Sequence, residues 1–378
     1  MYEQVASLWK SFLPTDHHLA GADVKVLEES KPADITFRYV NILEDGDLIG
    51  IMYLQLLRFN SRHYDAGVLD RPYLKPLKGL ITQKTARILI CGNLFRVKFQ
   101  GFYFREKKRR DMVFSCLLEY RKTELKKERV SGILVKDCSR EFSAIQFGCH
   151  SFRSFKQDLT MELAIRPEWQ TFEDYTNSLT RKYKQRAKKI VTAAKDINVR
   201  NMGLNDIISH HDRIKQLYMN VVQQQSLALG ILNATYFETM KAGLGERFKV
   251  FGYFLDGKML AFSSHIYYPP KNCMEIHYIG MDYDANSKYH LYFNILFHGI
   301  KTAIAQRVDT IEMGRTAREA KASAGAQPVE NYNYIWVRPG IISLAVNFLG
   351  KRFEGKVGDE WRKRQPFRED PRNEASPG

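Results

Sequence analysis

Residues 35–40 (ITFRYV) and 48–57 (LIGIMYLQLL) are dense in β-branched and aromatic positions. The Asp45-Gly46 pair between them is a two-residue hairpin signal. Residues 86–91 give a third apolar strand, and 97–104 open with alternating character and predict a further one. Over 111–127 the period changes to that of a helix, with Val113, Cys116, Leu117 and Tyr120 on one face. Strands at 131–135, 144–147 and 158–165 complete this half. The second half repeats the order. Residues 248–254 and 259–267 flank Asp256-Gly257, and 274–279 form a strand ending at Gly280. Residues 291–305 make a helix carrying Ile295, Leu296, Gly299, Ile300, Ala303 and Ile304, and 310–313 and 333–337 are strands.

Hairpin, strand, helix, strand therefore occurs twice. The fourth element leads into KDCSRE at 136–141 the first time and GRTARE at 314–319 the second, sharing Arg140-Glu141 and Arg318-Glu319. The pattern predicts a mixed α/β fold made by degenerate duplication of one unit. The expected divisions are a first unit at 1–165, a second at 166–350, and a charged, partly disordered tail at 351–378 containing Pro366, Pro371 and Pro377.

A distinctive helix enters the second unit. Thr171 is its N-cap, and Glu173 and Asp174 suit the positive end of the helix dipole. Tyr175, Leu179, Tyr183, Ala187, Ile190 and Ala194 form an apolar stripe, while Arg181, Lys182, Lys184, Arg186, Lys188, Lys189 and Lys195 crowd the rest. Helical regions at 205–225 and 234–244 follow.

Charge sharpens this picture. With 58 Lys plus Arg against 42 Asp plus Glu, the net charge is +16, which favours anionic partners: nucleic acid, phosphorylated cofactors or anionic lipid surfaces. The five cysteines, Cys91, Cys116, Cys138, Cys149 and Cys273, form no CxxC pair and have no histidine at metal-finger spacing. Scattered odd thiols point to a reducing, cytoplasmic location and to no metal. The first 16 residues do not read as a signal peptide. The apolar run 341–349 is too short to span a bilayer, but beside Lys351 and Arg352 it allows peripheral contact with an anionic membrane; a final core helix is the preferred role.

Three stretches carry a resemblance. The first runs from 159 to 202, a strand leading into FEDYTNSLTRKYKQRAKK. The second is HYIGMDYDANSKYHLYFNILFHGIKTAI at 277–304. The third is MGRTAREAKASAGAQP at 313–328. In order and spacing they resemble the GNAT superfamily, and more closely its FemAB-like and CelD-like acyltransferases, whose chains pair two such folds. The first half resembles that family in element order alone. The resemblance implies two tandem GNAT-like units with the working site in the second. The implied activity is an N-acyltransferase moving an acyl group from acyl-CoA to an amine of a small molecule or a cell-envelope or lipid precursor. A FemAB-like transferase using aminoacyl-tRNA is the alternative, and a non-catalytic binder of anionic ligands a third.

Many GNAT proteins wrap the coenzyme A pyrophosphate with a glycine-rich loop. The corresponding stretch here, 282–290, has no glycine and offers Asn286, Ser287, Lys288 and Tyr289 instead. These are the expected cofactor-binding residues, through the helix N-terminus and Lys288. Acyl transfer to an amine needs a base, a stabilised oxyanion and a protonated leaving group. Glu275, His277 and Ile279 share one face of the strand before the loop, and Glu275 and His277 are candidate bases. Tyr283, just past that strand, is a candidate proton donor. Arg315 and Lys321 follow a strand end, where α/β folds place ligands, and Tyr183 and Arg186 on the basic helix are further substrate contacts.

Overall fold

The structure, a computed structural model, describes residues 1–60, 86–138, 142, 152–225, 229–233, 235–338 and 364–368. The expected strand at 144–147, the Arg140-Glu141 pair, the apolar run 341–349 and most of the tail lie outside the described residues. In chain order the strands are β1 Ile35–Glu44, β2 Asp47–Phe59, β3 Ala86–Cys91, β4 Phe102–Phe104, β5 Gly132–Cys138, β6 Arg153–Ala164, β7 Asn198–Met202, β8 Phe248–Leu255, β9 Lys258–Tyr268, β10 Cys273–Met281, β11 Thr310–Glu312 and β12 Gln327–Val337. The helices are α1 Glu3–Phe12, α2 Ala22–Glu29, α3 Met112–Thr123, α4 Phe172–Ser178, α5 Arg181–Ala193, α6 Leu204–Ser209, α7 His211–Gln223, α8 Tyr236–Leu244, α9 Tyr283–Tyr289, α10 Leu291–Ala305 and α11 Arg318–Ser323.

The chain forms two compact units that do not follow its linear halves. The first takes the described residues of Met1–Asp158, Val222–Leu244 and Glu330–Gly358; the second takes those of Leu159–Val221, Gly245–Val329 and Asp359–Gly378.

In the first unit, Asp45 and Gly46 adopt positive φ (51° and 89°) and close the β1–β2 hairpin. Both central residues of a type I′ turn need that conformation, which matches the strand twist. β2 pairs antiparallel with β3, β3 parallel with β5, and β5 antiparallel with β12. One face carries Leu54, Leu56, Leu89, Val135 and Tyr334 against Val113, Phe114 and Leu117 of α3. Another core packs Trp9 and Phe12 of α1 against Ile51, Tyr53 and Phe99.

The strand expected over 97–104 is reduced to Phe102–Phe104. Residues before it form a loop because Gly92 (φ 136°) and Lys98 (φ 52°) break extended geometry. A Cβ on Gly101 would lie 2.1 Å from the Gly92 nitrogen, so the two backbone runs are in contact. Backbone and side chain share the pairing here: Tyr53 N–H donates to Gly101 O at 2.7 Å, and Leu94 N–H to Gln55 Oε1 at 2.9 Å.

The second unit repeats this topology. Asp256 and Gly257 turn the β8–β9 hairpin at φ 48° and 79°. β9 pairs antiparallel with β10, β10 parallel with β11, and β11 antiparallel with β6; β7 extends the far edge on β8. The expectation of largely antiparallel sheets is met, with the parallel pairs β3/β5 and β10/β11 in equivalent places. α10 buries Leu296, Ile300 and Ala303 against Met161, Ile276 and Ile311, and α4 and α5 add Tyr175, Ala187 and Ile190 to that core.

Two corrections concern this region. The single helix expected from Thr171 onward is two. α4 begins with the anticipated cap, a Thr171/Asp174 capping box, but ends at Ser178. Leu179 is extended and forms a bridge with Phe367, and Thr180 N–H donates to Pro366 O at 2.8 Å. The break therefore comes from a distant segment that takes over the backbone hydrogen bonds. That segment is the second correction. Residues 364–368, expected within a partly disordered tail, dock: Phe367 sits 5.6 Å from the Trp169 ring, and Arg364 pairs with Glu319.

Candidate active site

The two parallel strands at the centre of the second unit pair over a short stretch. Cys273, Met274 and Glu275 of β10 face Thr310, Ile311 and Glu312 of β11. β11 then ends, while β10 continues to Met281 with β9 alone beside it. Within that continuation the register slips. Ile276 faces His265 and Ile279 faces Ser263, so β10 carries one extra residue at His277–Tyr278. Ser264 stitches this bulge: its Oγ accepts from Tyr278 N–H at 3.0 Å and donates to Tyr278 O at 3.2 Å. Bulges bend a strand and re-aim side chains, which is why they recur beside active sites.

The last paired level carries acids on three adjacent strands. Glu312 faces Glu275 on β10 and Glu162 on β6. Residues in register project from the same face of a sheet, with strands about 4.8 Å apart. A Cβ on Gly299 of α10 would meet Ile276 and Ile311, so α10 covers the other face and the acids point away from it. Glu275 and Glu312 are buried, and His277 joins them with its Nδ1 2.7 Å from Glu275 Oε1. Tyr278 stacks edge-on against His277 at 4.4 Å, and Tyr218 of α7 against Tyr278 at 5.7 Å. Gly280 lets α7 approach, since a Cβ there would lie 2.6 Å from Tyr218 N.

Burial and the neighbouring Glu275 carboxylate push the Glu312 pKa well up, opposed by the Gly314 N–H that donates to Glu312 Oε1 at 2.8 Å. Lys321 lies across the turn. It is 3 % exposed on α11, and no hydrogen bond or ion pair joins its Nζ to a described residue. Burial pulls its pKa down to about 7, with Glu312 opposing and Arg318 reinforcing the fall. Gly314 (φ 81°) makes the turn and leaves space, for a Cβ there would sit 3.6 Å from Lys321 Nζ. The result is a buried amine of near-neutral pKa beside a row of acids and a carboxylate-bound imidazole.

The last parallel-paired level of the first unit carries Cys91, Val135 and Tyr334, which pack against α3, whereas the acids of the second unit point away from α10. Burial holds the Cys91 thiol protonated.

The residues singled out from sequence fall into two groups. Glu275, His277 and Lys321 come together at the strand ends, with Arg315 in the same turn, its carbonyl accepting from Arg318 Nε at 3.1 Å. Tyr183, Arg186, Asn286, Ser287, Lys288 and Tyr289 lie instead on α5 and α9, which pack against each other and against α10. Arg186 lies over the Phe293 ring at 4.7 Å, and Lys288 over Tyr289 at 5.0 Å. Tyr183 is half-buried against the core beneath α10. Tyr283 opens α9 and is exposed, with no hydrogen bond to the acid row.

The glycine-free loop is the short helix α9. It closes on the start of α10: Asn286 Oδ1 accepts from Tyr292 N–H at 2.9 Å, and Ser287 Oγ donates to Tyr283 O. One of the donors that a pyrophosphate would take at this helix N-terminus is thus used within the chain. Glu162 and Glu312 escaped sequence reasoning as site residues, because only cross-strand register makes them neighbours of Glu275. Among the described residues no His/Cys/Asp/Glu group is disposed to hold a metal ion, and no helix is long and apolar enough to cross a membrane.

No family profile and no curated protein matches the sequence. Solved structures do match the fold. FemX aligns with a TM-score of 0.52 at 10% identity, over 93% of this chain and 98% of FemX. The C-terminal domain (DUF2156) of a putative lysylphosphatidylglycerol synthetase from Agrobacterium fabrum aligns with 0.51 at 10% identity, over 93% and 96%. A tandem GNAT protein from the clavulanic acid biosynthesis pathway aligns with 0.51 at 10% identity, over 89% and 96%. With two units of one topology, matched along nearly the whole chain, this protein carries the tandem GNAT-type fold of FemAB-like proteins.

Proposed function

We propose that the second unit transfers an acyl or aminoacyl group to a primary amine, with Lys321 as the proton-accepting base and the Glu275–His277 pair beside it. The observation that carries this is the buried Lys321 amine, unpaired among the described residues and held near neutrality over Gly314. An amine acceptor arrives as an ammonium, which the carboxylate row favours electrostatically. Lys321 in its free-base form takes one proton. The freed nitrogen attacks the acyl carbonyl, the new C–N bond forms, and the carbonyl electrons move to oxygen. The nitrogen of that intermediate sheds its second proton to solvent, and collapse expels the donor's hydroxyl or thiol, which leaves with the proton returned from Lys321. The products are an amide and the deacylated carrier.

For the donor, aminoacyl-tRNA is favoured over acyl-CoA. The N-terminus of α10 is partly capped by Asn286, while α5 offers Arg181, Lys182, Lys184, Arg186, Lys188 and Lys189 beside Lys288 of α9. FemX and the domain of a putative lysylphosphatidylglycerol synthetase share the fold, which supports an aminoacyl donor and a FemAB-like rather than CelD-like role. The free thiols of Cys91, Cys116, Cys138 and Cys273 fit a cytoplasmic site of action. The test is acceptor-dependent consumption of a panel of aminoacyl-tRNAs, run beside thiol release from a panel of acyl-CoAs. Activity in the first arm establishes the favoured donor, and activity in the second alone replaces it with acyl-CoA. Silence in both, with anionic ligands still bound, makes this a non-catalytic relative.

A further inference from the structure

The first unit has a polar cleft at the end of its sheet remote from the Cys91/Val135 level. Its volume is about 390 Å³, and Asp34, Thr36, Arg38, Arg58, Arg87 and Glu128 line it. Arg58 of β2 and Arg87 of β3 stand directly opposite each other in an antiparallel ladder, and Thr36 and Arg38 of β1 share their face through the pairs Thr36/Leu56 and Arg38/Leu54. Like charges placed directly opposite destabilise a sheet unless something neutralises them. Among the described residues, little does. Glu128 is committed to Arg87, through its carboxylate at 3.2 Å and its carbonyl at 2.8 Å. The Arg38 guanidinium bonds the Phe37 carbonyl, and no side-chain hydrogen bond or ion pair joins Arg58 to a described residue. The Asp34 carboxylate accepts from Asn60 Nδ2 at 3.2 Å.

We propose that this cleft binds the diphosphate group of a soluble small molecule. Guanidinium groups match phosphate oxygens with paired N–H donors, which lysines do not. Arg58 and Arg87 are close enough to share one phosphate. Arg38 stands four strand residues further along, about 13 Å at the backbone, so its long side chain reaches a second phosphate rather than the first. The site is separate from the acid row in sequence, in unit and in chemistry, so it stands or falls independently of the transferase assignment.

The test is isothermal titration of the full chain with inorganic pyrophosphate and, separately, inorganic phosphate. Pyrophosphate should bind more tightly than phosphate. Arg58→Ala and Arg38→Ala should each weaken pyrophosphate about ten- to a hundredfold, with unchanged circular dichroism and melting. Lys10→Ala, an exposed cation of the same unit, should leave binding as it is. The assignment is overturned if wild-type protein does not bind pyrophosphate, if both arginine variants bind it as wild type does, or if the protein binds phosphatidic-acid vesicles but not the soluble anion.

Discussion

Replacing Lys321 with methionine removes a cation from a site 3 % exposed while keeping an unbranched side chain of similar length. The fall of its pKa from 10.5 to about 7 corresponds to about 5 kcal/mol at full protonation, using 1.36 kcal/mol per pH unit. The sign follows from proton counting. Between those two values the unfolded chain holds the lysine proton and the folded chain does not, so wild-type stability rises with pH across that window. Below it both states are protonated and the destabilisation is complete. Lys321→Met should therefore stabilise the protein by about 4 kcal/mol at pH 7 and by about 1 kcal/mol at pH 10. Urea unfolding of both proteins at the two pH values measures this. Turnover should fall by about a hundred- to ten-thousandfold in the same variant. The opposition of a more stable protein and a lost reaction marks a functional buried base. A variant less stable than wild type at both pH values, or a stability difference independent of pH, refutes the reasoning.

Phe367→Ala should destabilise the second unit by about 2–4 kcal/mol, because the ring covers Gly325 and packs on Trp169 with Arg166 over it; a loss below about 0.5 kcal/mol in urea unfolding would mean the C-terminal segment does not dock. Arg315→Ala should lower kcat/KM about ten- to a hundredfold, and Arg315→Lys should not restore it, since the planar fork is lost; full activity in well-folded Arg315→Ala removes that residue from the site. Asn286→Ala should destabilise by about 1 kcal/mol through the lost cap on α10 while leaving the KM for the donor within about twofold, a change of less than about 0.5 kcal/mol. A large KM effect without destabilisation would restore Asn286 as a donor contact.

Local signals were legible where local physics decides. Asp45-Gly46 and Asp256-Gly257 permit the positive φ that their turns need, and both hairpins form where these pairs stand. The apolar stripe from Leu291 to Ala305 predicts α10 to the residue. The break at Leu179 was not legible, because its cause is Phe367, nearly half the chain away. Residues 97–101 alternate like a strand but form a loop, since Gly92 and Gly101 bring two backbone runs together. The site divides in the same way. Alternation along β10 put Glu275 and His277 on one face, and the hydrogen bond between them bears this out. Glu162 and Glu312 belong to that group only through the register of β6, β11 and β10, which no single strand encodes. Lys321 stood out by resemblance and by its place after a strand end; its burial depends on how α11 folds back over Gly314.

In the proposed mechanism, the acid row and Lys321 of the second unit together perform acyl transfer to an amine. Single-turnover amide formation from labelled aminoacyl-tRNA and a panel of amine acceptors tests this in wild type, Lys321→Met and Val135→Ala, the last altering only the core of the first unit. Labelled amide is expected from wild type and Val135→Ala at like rates, and from Lys321→Met at a rate lower by at least about a hundredfold. Equal product from wild type and Lys321→Met, or loss of product in a folded Val135→Ala alone, would contradict it.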